Sequence, residues 1–396
     1  MDLIGQILNF IFSKWFIIFL FIFIILYHII LFFIRDKQYI NAFRKNINPK
    51  VNSIEDLIDT PLVNVIIPAW KEGEIFKLCM QKLAELNYPK LKIIINAGGN
   101  EETMKIANSF NKFENFLIIE QKAGGGKIKA INDALKLVER GIVCILDADV
   151  SLGFSTLLTM LYKIINEKID VVVAELKPIK SILGSDLIIY LFINRNPRFR
   201  SKFTNYGRIE LTQCACLNYN VILNIGEFTE KRLYGDGKAM ANDIINKNYK
   251  IYQLSEPIAE SYNYPNKISK FIRQNIRWVE NGFFFNLKKN KIKVIVKFLI
   301  LIFFSLYIIA FPFLIFINIY LVLIGASILI YFYLKKIREV IFFKKTTDKE
   351  YFGKLGVFFY FKILLYIYIE ALMNIYIFFE LLIFQDKKLK KRKNID

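Results

Sequence analysis

The chain has 396 residues, of which 55% are apolar, and it carries a net charge of +20 at neutral pH. Soluble domains are usually about 45–50% apolar, so the excess indicates surface that faces lipid. The basic residues lie beside apolar segments, which favours an anionic membrane surface over nucleic acid as their partner.

The histidine and cysteine content excludes several mechanisms. The single histidine, His28, lies in an apolar run, so Ser–His and Cys–His catalysis and histidine-based metal sites are excluded. The four cysteines have neither zinc-site nor redox spacing, and they are predicted to be small buried apolar residues. They are Cys79, Cys144, Cys214 and Cys216.

An uncharged segment near the start of the chain predicts a membrane anchor. Residues 15–34 contain no charged side chain, and about 20 such residues span a bilayer as a helix. No small-residue cleavage site follows, so we expect residues 1–36 to form a transmembrane signal anchor rather than a removed signal peptide. Arg35 and Lys37 begin a basic stretch, which places the next part of the chain in the cytoplasm.

Strand-like and helical patterns alternate over residues 61–262. The apolar runs are VNVIIP (63–68), LKIIINA (91–97), FLIIEQ (116–121) and GIVCILDAD (141–149). Helical patterns fill the gaps, for example over residues 75–86 and 128–138. Continuous apolar strands that alternate with helices predict a mostly parallel α/β sheet with helices on both faces, which is a nucleotide-binding architecture.

The C-terminal part of the sequence is apolar and basic. Residues 263–290 mix basic and aromatic side chains at helical spacing, which predicts an interfacial helix. Residues 291–384 are predicted to form membrane helices: the uncharged stretch 298–334 is too long for one span and fits two helices that turn near Pro312. Residues 385–396 form a basic tail.

The last apolar segment contains polar side chains on one side of a helix. Residues 355–384 would form either a span with a protein-facing side or a helix that lies flat on the membrane, so we expect three or four spans in total. The polar residues of this segment are Lys362, Glu370, Asn374 and Glu380.

Asp147 and Asp149 form a D-x-D sequence at the end of an apolar run. Ligands bind at the carboxyl ends of strands in open parallel sheets. Two carboxylates two residues apart at such an end can hold Mg²⁺ or Mn²⁺ on a diphosphate, where the cation neutralises charge on a leaving nucleoside diphosphate. A loop start with two solvated acids is the alternative, which the preceding apolar strand disfavours.

Two glycine-containing stretches add candidate site residues. The sequence GGGK (124–127) opens a helical pattern, where backbone N–H groups and Lys127 can approach phosphate. In YGDG (234–237), glycines on both sides make Asp236 accessible, so that it could take a proton from an acceptor hydroxyl. A plain turn is the alternative for each stretch.

The sequence QNIRW (274–278) combines a cation with an aromatic ring. On a helix, Gln274, Arg277 and Trp278 share one face. Arginine suits a diphosphate, and tryptophan offers a flat platform for a sugar ring. An interfacial anchor is the alternative, since Arg and Trp are common at membrane surfaces.

In this order, the motifs resemble the family 2 glycosyltransferases, which have the GT-A fold. They are similar to the membrane branch with the Q-x-x-R-W motif, which includes cellulose, chitin and hyaluronan synthases and ceramide glucosyltransferases. One span before the catalytic domain and several after it match that branch. The resemblance covers VIIPAWKEGE (65–74), GGGK, DAD (147–149), LTQCACLNYNVILNIGEF (211–228), the GDG loop and QNIRW.

The resemblance implies a role for each matching residue. Asp149, together with Asp147, would ligate the divalent cation. Asp236 would be the general base that deprotonates the acceptor hydroxyl, and direct attack on the anomeric carbon would invert its configuration. The residues implied to bind the nucleotide-sugar donor are Pro68, Ala69, Glu72, Lys127, Asp147, Gln274, Arg277 and Trp278.

Two positions depart from the family pattern. The family commonly has D-D-G after the second strand, with an aspartate that helps bind uracil, whereas this chain has NAGG (96–99). The resemblance therefore does not extend to a uridine donor. For such a donor, Glu101 or Glu102 would have to take the place of the missing aspartate. The acid that usually precedes the catalytic aspartate is Gly235 here, and Glu230 is the nearest alternative base.

The leading hypothesis is an inverting hexosyltransferase that acts on a lipid or lipid-linked acceptor at the cytoplasmic face of the cell membrane. A polysaccharide synthase would need an export channel, which three or four spans would build only if subunits associated. An inactive relative that binds nucleotide sugar is a further hypothesis, motivated by the missing acids at 96–97. A small transporter is suggested by ionisable residues in apolar segments, but it leaves the α/β domain without a role.

Overall fold

The computed structural model describes residues 13–45, 51–179, 185–195, 213–228, 236–289, 291–346 and 355–393. Contacts within the chain divide it into two compact units. The sheet unit contains Asn46–Ile182 and Arg195–Tyr264, and the helical unit contains Met1–Lys45, Leu183–Asn194 and Pro265–Leu389. The segment Leu183–Asn194 thus belongs to the helical unit, although it interrupts the sheet unit in sequence.

The described residues contain one mixed sheet of eight strands. The strands are β1 (Val63–Trp70), β2 (Leu91–Gly98), β3 (Phe116–Glu120), β4 (Ile142–Leu146), β5 (Val150–Ser151), β6 (Val171–Pro178), β7 (Cys214–Asn218) and β8 (Ile251–Ser261). Their order in the sheet is β3-β2-β1-β4-β7-β6-β8-β5. The pairs β1–β2, β2–β3, β1–β4 and β6–β8 are parallel, and the other pairs are antiparallel.

Helices cover both faces of this sheet. The helices are α1 (Lys14–Ile30), α2 (Lys37–Lys45), α3 (Glu74–Ala84), α4 (Glu101–Asn108), α5 (Gly126–Leu135), α6 (Phe154–Ile165), α7 (Asp186–Arg195), α8 (Tyr219–Ile225), α9 (Asp236–Asn246), α10 (Ile268–Lys289), α11 (Lys291–Ala310), α12 (Ile319–Thr346) and α13 (Val357–Lys393). One core cluster contains side chains of α3, α4 and α6, and a second contains side chains of α5, α8 and α9. The predicted α/β fold class is therefore confirmed.

Burial on both faces explains the continuous apolar strands. In β2, Ile93 and Ile95 point into one core cluster, and Ile94 points into the other. Because successive side chains of a strand alternate between faces, a strand buried on both faces is apolar at every position. The covering helices are apolar on one side: α3 buries Phe76, Cys79, Met80 and Leu83, at the spacing of one helix face.

The antiparallel part of the sheet was not predicted from the sequence. Strand β7 lies between β4 and β6 and is antiparallel to both, with Cys144 opposite Cys216. An apolar run predicts a strand but not its neighbours in the sheet. The sequence pattern therefore does not show that β7 runs antiparallel to β4 and β6. All four cysteines are buried and free, as their spacing predicts.

Among the residues that the structure describes, four helices of the helical unit are long and apolar enough to cross a membrane. These helices cover Lys14–Asn41, Lys291–Phe316, Ile319–Thr346 and Val357–Leu381. A 3₁₀ segment, Phe311–Phe316, separates α11 from α12 and contains Pro312, where the sequence predicts a turn. At Gly325 of α12, a Cβ atom would lie 2.3 Å from the Cβ of Phe311, so this close approach requires glycine.

The polar side chains of α13 face other elements of the helical unit. These contacts satisfy polar groups that would be costly to expose to lipid, and whether the helix spans the membrane or lies on it remains a prediction. The contacts are those of Lys362 with Asp186, of Glu370 with the hydroxyl of Tyr190 (2.8 Å) and of Asn374 with Ser305 (3.2 Å).

A buried ion pair joins the end of the first apolar helix to α12. Arg338 Nε donates to Asp36 Oδ2 at 2.7 Å, and Arg338 Nη2 donates to Asp36 Oδ1 at 2.9 Å. The remaining Arg338 nitrogen, Nη1, lies 3.0 Å from His28 Nδ1. Asp36 and Arg338 are 0% and 5% exposed. The bidentate geometry compensates for removing both charges from water.

Candidate functional site

A cleft of about 440 Å³ opens at the carboxyl ends of β1 and β4. Adjacent parallel strands end at the same edge of a sheet, which brings residues from distant parts of the sequence together. Five of the residues expected from sequence line this cleft: Pro68, Glu72, Lys127, Asp147 and Asp149. The other lining residues are Trp70, Gln121, Lys122, Gly124, Gly126 and Ala148.

The D-x-D sequence forms a tight turn between β4 and β5. The backbone N–H of Asp147 donates to Gln213 O at 3.0 Å, and Val150 N donates to Asp147 O at 3.1 Å. Asp149 O accepts from Tyr262 N at 3.1 Å. Main-chain hydrogen bonds thus hold both aspartates in this turn.

Lys127 forms an ion pair with Asp147 inside the cleft. The lysine lies in the first turn of α5, directly after Gly124 and Gly126, which have φ values of +87° and +70°. Only glycine adopts such values readily. This backbone turns sharply into the helix, so the lysine and the positive end of the helix dipole lie beside the D-x-D turn, an arrangement that suits phosphate.

Burial and neighbouring carboxylates raise the pKa of two acids in the cleft. Burial, with smaller contributions from Asp149 and Asp147, raises the pKa of Glu72 to about 7. Burial and the neighbouring Asp147 raise the pKa of Asp149 to about 6. Lys127 lowers both values but does not offset these effects. Such a site favours the binding of a proton or a cation.

Glu72 is held in place through its backbone. Its N–H donates to Thr103 Oγ1 at 2.7 Å, and its carbonyl accepts from the same hydroxyl at 2.8 Å. Thr103 is fully buried in α4. The preceding Lys71 has a φ of +58°, a left-handed conformation that is uncommon outside glycine. The chain therefore turns abruptly after β1, which places Glu72 over the cleft.

Trp70 lines the cleft, although the sequence motifs did not single it out. A Cβ on Gly98 would lie 3.1 Å from the Trp70 ring, and one on Gly99 would lie 2.8 Å from it. The indole therefore lies directly against a glycine backbone, and it remains 38% exposed. Its position at the end of a parallel strand could have identified Trp70 as a candidate. Gln121 and Lys122 also follow the end of a parallel strand.

Several expected residues lie elsewhere. Ala69 is fully buried in the core beside β2 and is not among the cleft-lining residues. Asn96, where the family commonly has an acid, is 1% exposed and donates to Ala130 O at 2.9 Å. Glu101 and Glu102, the suggested substitutes, lie in the first turn of α4 and do not line the cleft.

Asn263 is a further residue that sequence reasoning missed. Its side chain hydrogen-bonds the Asp149 carboxylate and lowers the pKa of that group, against the larger effect of burial. It follows β8, whose end pairs with β5 just after the D-x-D turn. The long-range pairing of β5 with β8 makes this contact, and no local motif signals it.

The predicted base lies at the start of a helix. Asp236 is the first residue of α9, and the next residue, Gly237, is buried. Asp236 and Gly237 therefore begin a helix. Glu230, Tyr234 and Gly235 lie outside the described residues. The role of Asp236 remains a prediction.

The QNIRW sequence lies on α10 of the helical unit. Gln274 and Trp278 are one turn apart and partly buried, and Arg277 is exposed. The helical spacing that places the three residues on one side is therefore present. Their contribution to donor or acceptor binding remains a prediction.

Comparison with known proteins shows which sequences and structures this chain resembles. Residues 64–217 match the family model for glycosyl transferase family 2. The probable glycosyltransferase YdaM of Bacillus subtilis is 30% identical over 132 residues, which are 32% of this chain and 30% of that protein. The poly-beta-1,6-N-acetyl-D-glucosamine synthase of Staphylococcus epidermidis is 23% identical over 67% of this chain and 63% of that protein. The chain thus spans less than two thirds of each relative.

A solved structure has the same fold over most of its length. A mannosyltransferase from Pyrobaculum calidifontis, in complex with GDP-mannose and Mn²⁺, aligns with a TM-score of 0.54 at 14% identity, over 92% of this chain and 98% of that one. At this identity the likeness establishes the fold. Residues 64–217 of the chain therefore match glycosyl transferase family 2, and they lie in a GT-A-like sheet.

Proposed function

We propose that the chain transfers a sugar from a nucleotide-sugar donor to a lipid or lipid-linked acceptor at the cytoplasmic face of the membrane, with inversion at the anomeric carbon. The observation that carries this proposal is the Lys127–Asp147 ion pair beside Asp149 in a cleft of a family 2 domain. The lysine and the N-terminus of α5 attract the donor diphosphate, and the carboxylates provide a place for its counter-cation.

The cleft fits a divalent cation on chemical grounds. Its carboxylates are hard oxygen ligands, and a cation would stabilise the charged forms of Glu72 and Asp149, which burial and neighbouring carboxylates disfavour. Among the described residues, no group of three or more His, Cys, Asp and Glu side chains is arranged to hold a metal ion by itself. Asp149 and Asp147 would therefore share Mg²⁺ or Mn²⁺ with the donor phosphates. The ion would neutralise charge on the leaving diphosphate.

The acceptor side of the proposal rests on the apolar helices and on two motifs. Four helices suited to crossing a membrane accompany the family 2 domain, and an acceptor confined to the bilayer would meet such an enzyme at the membrane surface. Asp236 would deprotonate the acceptor hydroxyl. Gln274, Arg277 and Trp278 would hold the diphosphate and the acceptor end. Basic residues after the first apolar helix favour a cytoplasmic active site.

A second candidate function is a processive polysaccharide synthase. The observation that favours it is the similarity to the staphylococcal poly-beta-1,6-N-acetyl-D-glucosamine synthase over 67% of this chain. Extension of a polymer across the membrane would need a channel, which four helices would form only through association of subunits. The two candidates differ in product size rather than in donor chemistry.

The test is donor turnover by the full chain purified in detergent. A panel of uridine, guanosine, adenosine and cytidine diphosphate sugars is offered with Mg²⁺ or Mn²⁺, with and without a polyprenyl phosphate or native lipid extract. We expect metal-dependent turnover of one donor that increases with lipid. Mass spectrometry of the lipid product distinguishes one added sugar from a polymer.

A matched pair of variants tests the site. Asp149→Asn should reduce turnover at least about 100-fold, in the range seen when a preorganised electrostatic contact is removed, while the protein remains folded. Asp133→Asn changes an aspartate of α5 that does not line the cleft, and it should leave turnover unchanged. Nucleotide binding without turnover of any donor would favour the inactive relative, and equal activity of both variants would remove Asp149 from the site.

A further inference from the structure

Gln121 contains a buried hydrogen-bond acceptor in the wall of the cleft. The residue directly follows β3, is 8% exposed and lines the cleft. Its Oε1 is buried and has no hydrogen-bond partner among the described residues. Its Nε2 makes a single long contact of 3.4 Å with Gly126 O. A buried acceptor without a partner is costly, by about 1–3 kcal/mol, and its place in the cleft wall suits a ligand that donates a hydrogen bond to it.

The main chain holds Gln121 in one position. Its N–H donates to Ala97 O at 2.7 Å. Gly98 lies so close that a Cβ there would be 2.8 Å from Gln121 O and 3.1 Å from the ring of Trp70. Gln121 and the indole therefore flank the same glycine. An aromatic surface with a fixed acceptor nearby matches the shape and chemistry of a nucleobase.

Gln121 follows β3, whose end is separated from the D-x-D turn at the end of β4, although its side-chain amide contacts Gly126 O beside Lys127. The strand order β3-β2-β1-β4 separates the end of β3 from the end of β4 by three strand spacings, or roughly 14 Å. With the diphosphate at Lys127 and Asp147, the β3 end is left for the part of the donor that is remote from the phosphates. That part is the nucleoside.

No residue of β2 is among those that line the cleft. Asn96 is 1% exposed, and its amide donates to Ala130 O within the core. Ala97 is fully buried in the core cluster. We propose that Gln121 reads the nucleobase of the donor, with Oε1 accepting a hydrogen bond from an N–H of the base. This inference rests on the proposed function, because it takes the cleft as the donor site.

The experiment compares nucleotides with a ligand that has no base. Calorimetry on the full chain in detergent with Mn²⁺ measures dissociation constants for GDP, UDP, ADP, CDP and ribose 5-diphosphate. We expect the wild-type chain to prefer one nucleotide by about tenfold or more over ribose 5-diphosphate. Gln121→Met, which keeps the length of the side chain and removes the acceptor, should lose most of the preference for one nucleotide over the other three, retain the part that stacking on Trp70 provides, and bind ribose 5-diphosphate unchanged. Gln81→Met, on the exposed side of α3, should behave as wild type.

Each other outcome overturns the inference in a recognisable way. An unchanged nucleotide preference in Gln121→Met would show that another group reads the base, and the proposed function would stand. An equal loss of affinity for nucleotide and ribose 5-diphosphate would assign Gln121 a purely structural role. Absence of binding by every ligand to the wild-type chain would overturn the donor site itself, and with it the proposed function.

Discussion

Lys127 forms an ion pair with Asp147, and this contact distinguishes the two aspartates of the D-x-D turn. Asp149 is hydrogen-bonded by the neutral side chain of Asn263 instead, and its pKa is raised to about 6. Lys127 also lowers the pKa of Glu72. One lysine thus moderates the repulsion among three carboxylates, while it presents a positive charge to a diphosphate.

Replacing Lys127 should weaken donor binding and shift its pH dependence. Lys127→Met removes the cation, so affinity for a nucleoside diphosphate should fall about tenfold or more. The pKa values of Glu72 and Asp149 should rise, because Lys127 lowers both. Mn²⁺ must displace those protons, so the pH at which Mn²⁺ binding is half complete should move upward. Calorimetric titrations across about pH 5.5 to 8 measure both effects.

The neighbouring lysine of α5 provides the control. Lys129 pairs with Asp133 outside the cleft, so Lys129→Met should leave the affinity and the pH midpoint unchanged. If the two variants behave alike, the Lys127–Asp147 contact has no part in binding.

Glu72 should make the metal-free protein less stable as pH rises. Its pKa is about 7, against an ordinary value of 4.5. Between these values the folded chain keeps a proton that the unfolded chain has released, so stability decreases with rising pH. Glu72→Gln removes this effect. The thermal midpoint of the metal-free variant should exceed that of wild type at pH 8, and the difference should vanish near pH 4.5.

Two comparisons make this prediction specific. Glu74→Gln, which alters an exposed glutamate paired with Lys77, should give no such pH-dependent difference. Mn²⁺ should raise the midpoint of wild type more at pH 8 than at pH 5.5, because the ionised carboxylates bind the cation. A pH-independent difference between Glu72→Gln and wild type would assign the change to packing.

The sequence predicts those parts of the molecule that depend on local patterns. The apolar runs at β1 and β2 identify strands, because both faces of each strand are buried. The D-x-D sequence and Lys127 are found because each follows or opens a regular element. Contacts made by long-range pairing are not predictable in this way. Asn263 reaches Asp149 only because β8 pairs with β5, and the pairing of β7 with β4 reverses strand direction without a local signal.

The assignment of the general base is open to a direct test. Asp236→Asn should lower turnover at least about 100-fold, the low end for loss of general-base catalysis, and should leave donor binding intact. Glu230→Gln should retain activity, because Glu230 is only the nearest alternative acid. Single-turnover rates with a saturating donor measure both variants. Loss of activity in Glu230→Gln, with Asp236→Asn active, would transfer the role to Glu230.

Gly141 should be intolerant of a side chain. Its φ is +95°, and a Cβ would lie 2.1 Å from Leu62 O, which accepts the hydrogen bond from Ile142 N at the start of β4. Gly226 also has a positive φ, +76°, but a Cβ there meets nothing within 4 Å. Gly226→Ala should cost about 1 kcal/mol from backbone strain alone. Gly141→Ala should cost about 1–3 kcal/mol more because of the clash.

Chemical denaturation monitored by circular dichroism measures this difference. Since β4 leads directly into Asp147, Gly141→Ala should also reduce donor affinity, whereas Gly226→Ala should not. Equal destabilisation by the two substitutions would mean that the chain shifts at Leu62 to accommodate a methyl group.

The ion pair between Asp36 and Arg338 should be much more costly to break than to replace. Both groups are buried, so Arg338→Met leaves the Asp36 carboxylate with only the partly exposed Arg35 as a cationic partner among the described residues, and the expected cost is about 3–5 kcal/mol. The double variant Asp36→Leu/Arg338→Met removes both charges and should recover most of this loss. Thermal midpoints in detergent measure the cycle, and Lys77→Met in the exposed Glu74 pair should change the midpoint little. If the loss in the double variant equals the sum of the losses in the two single variants, the two charges are not energetically coupled. A coupled pair would instead give a smaller loss in the double variant than in Arg338→Met alone.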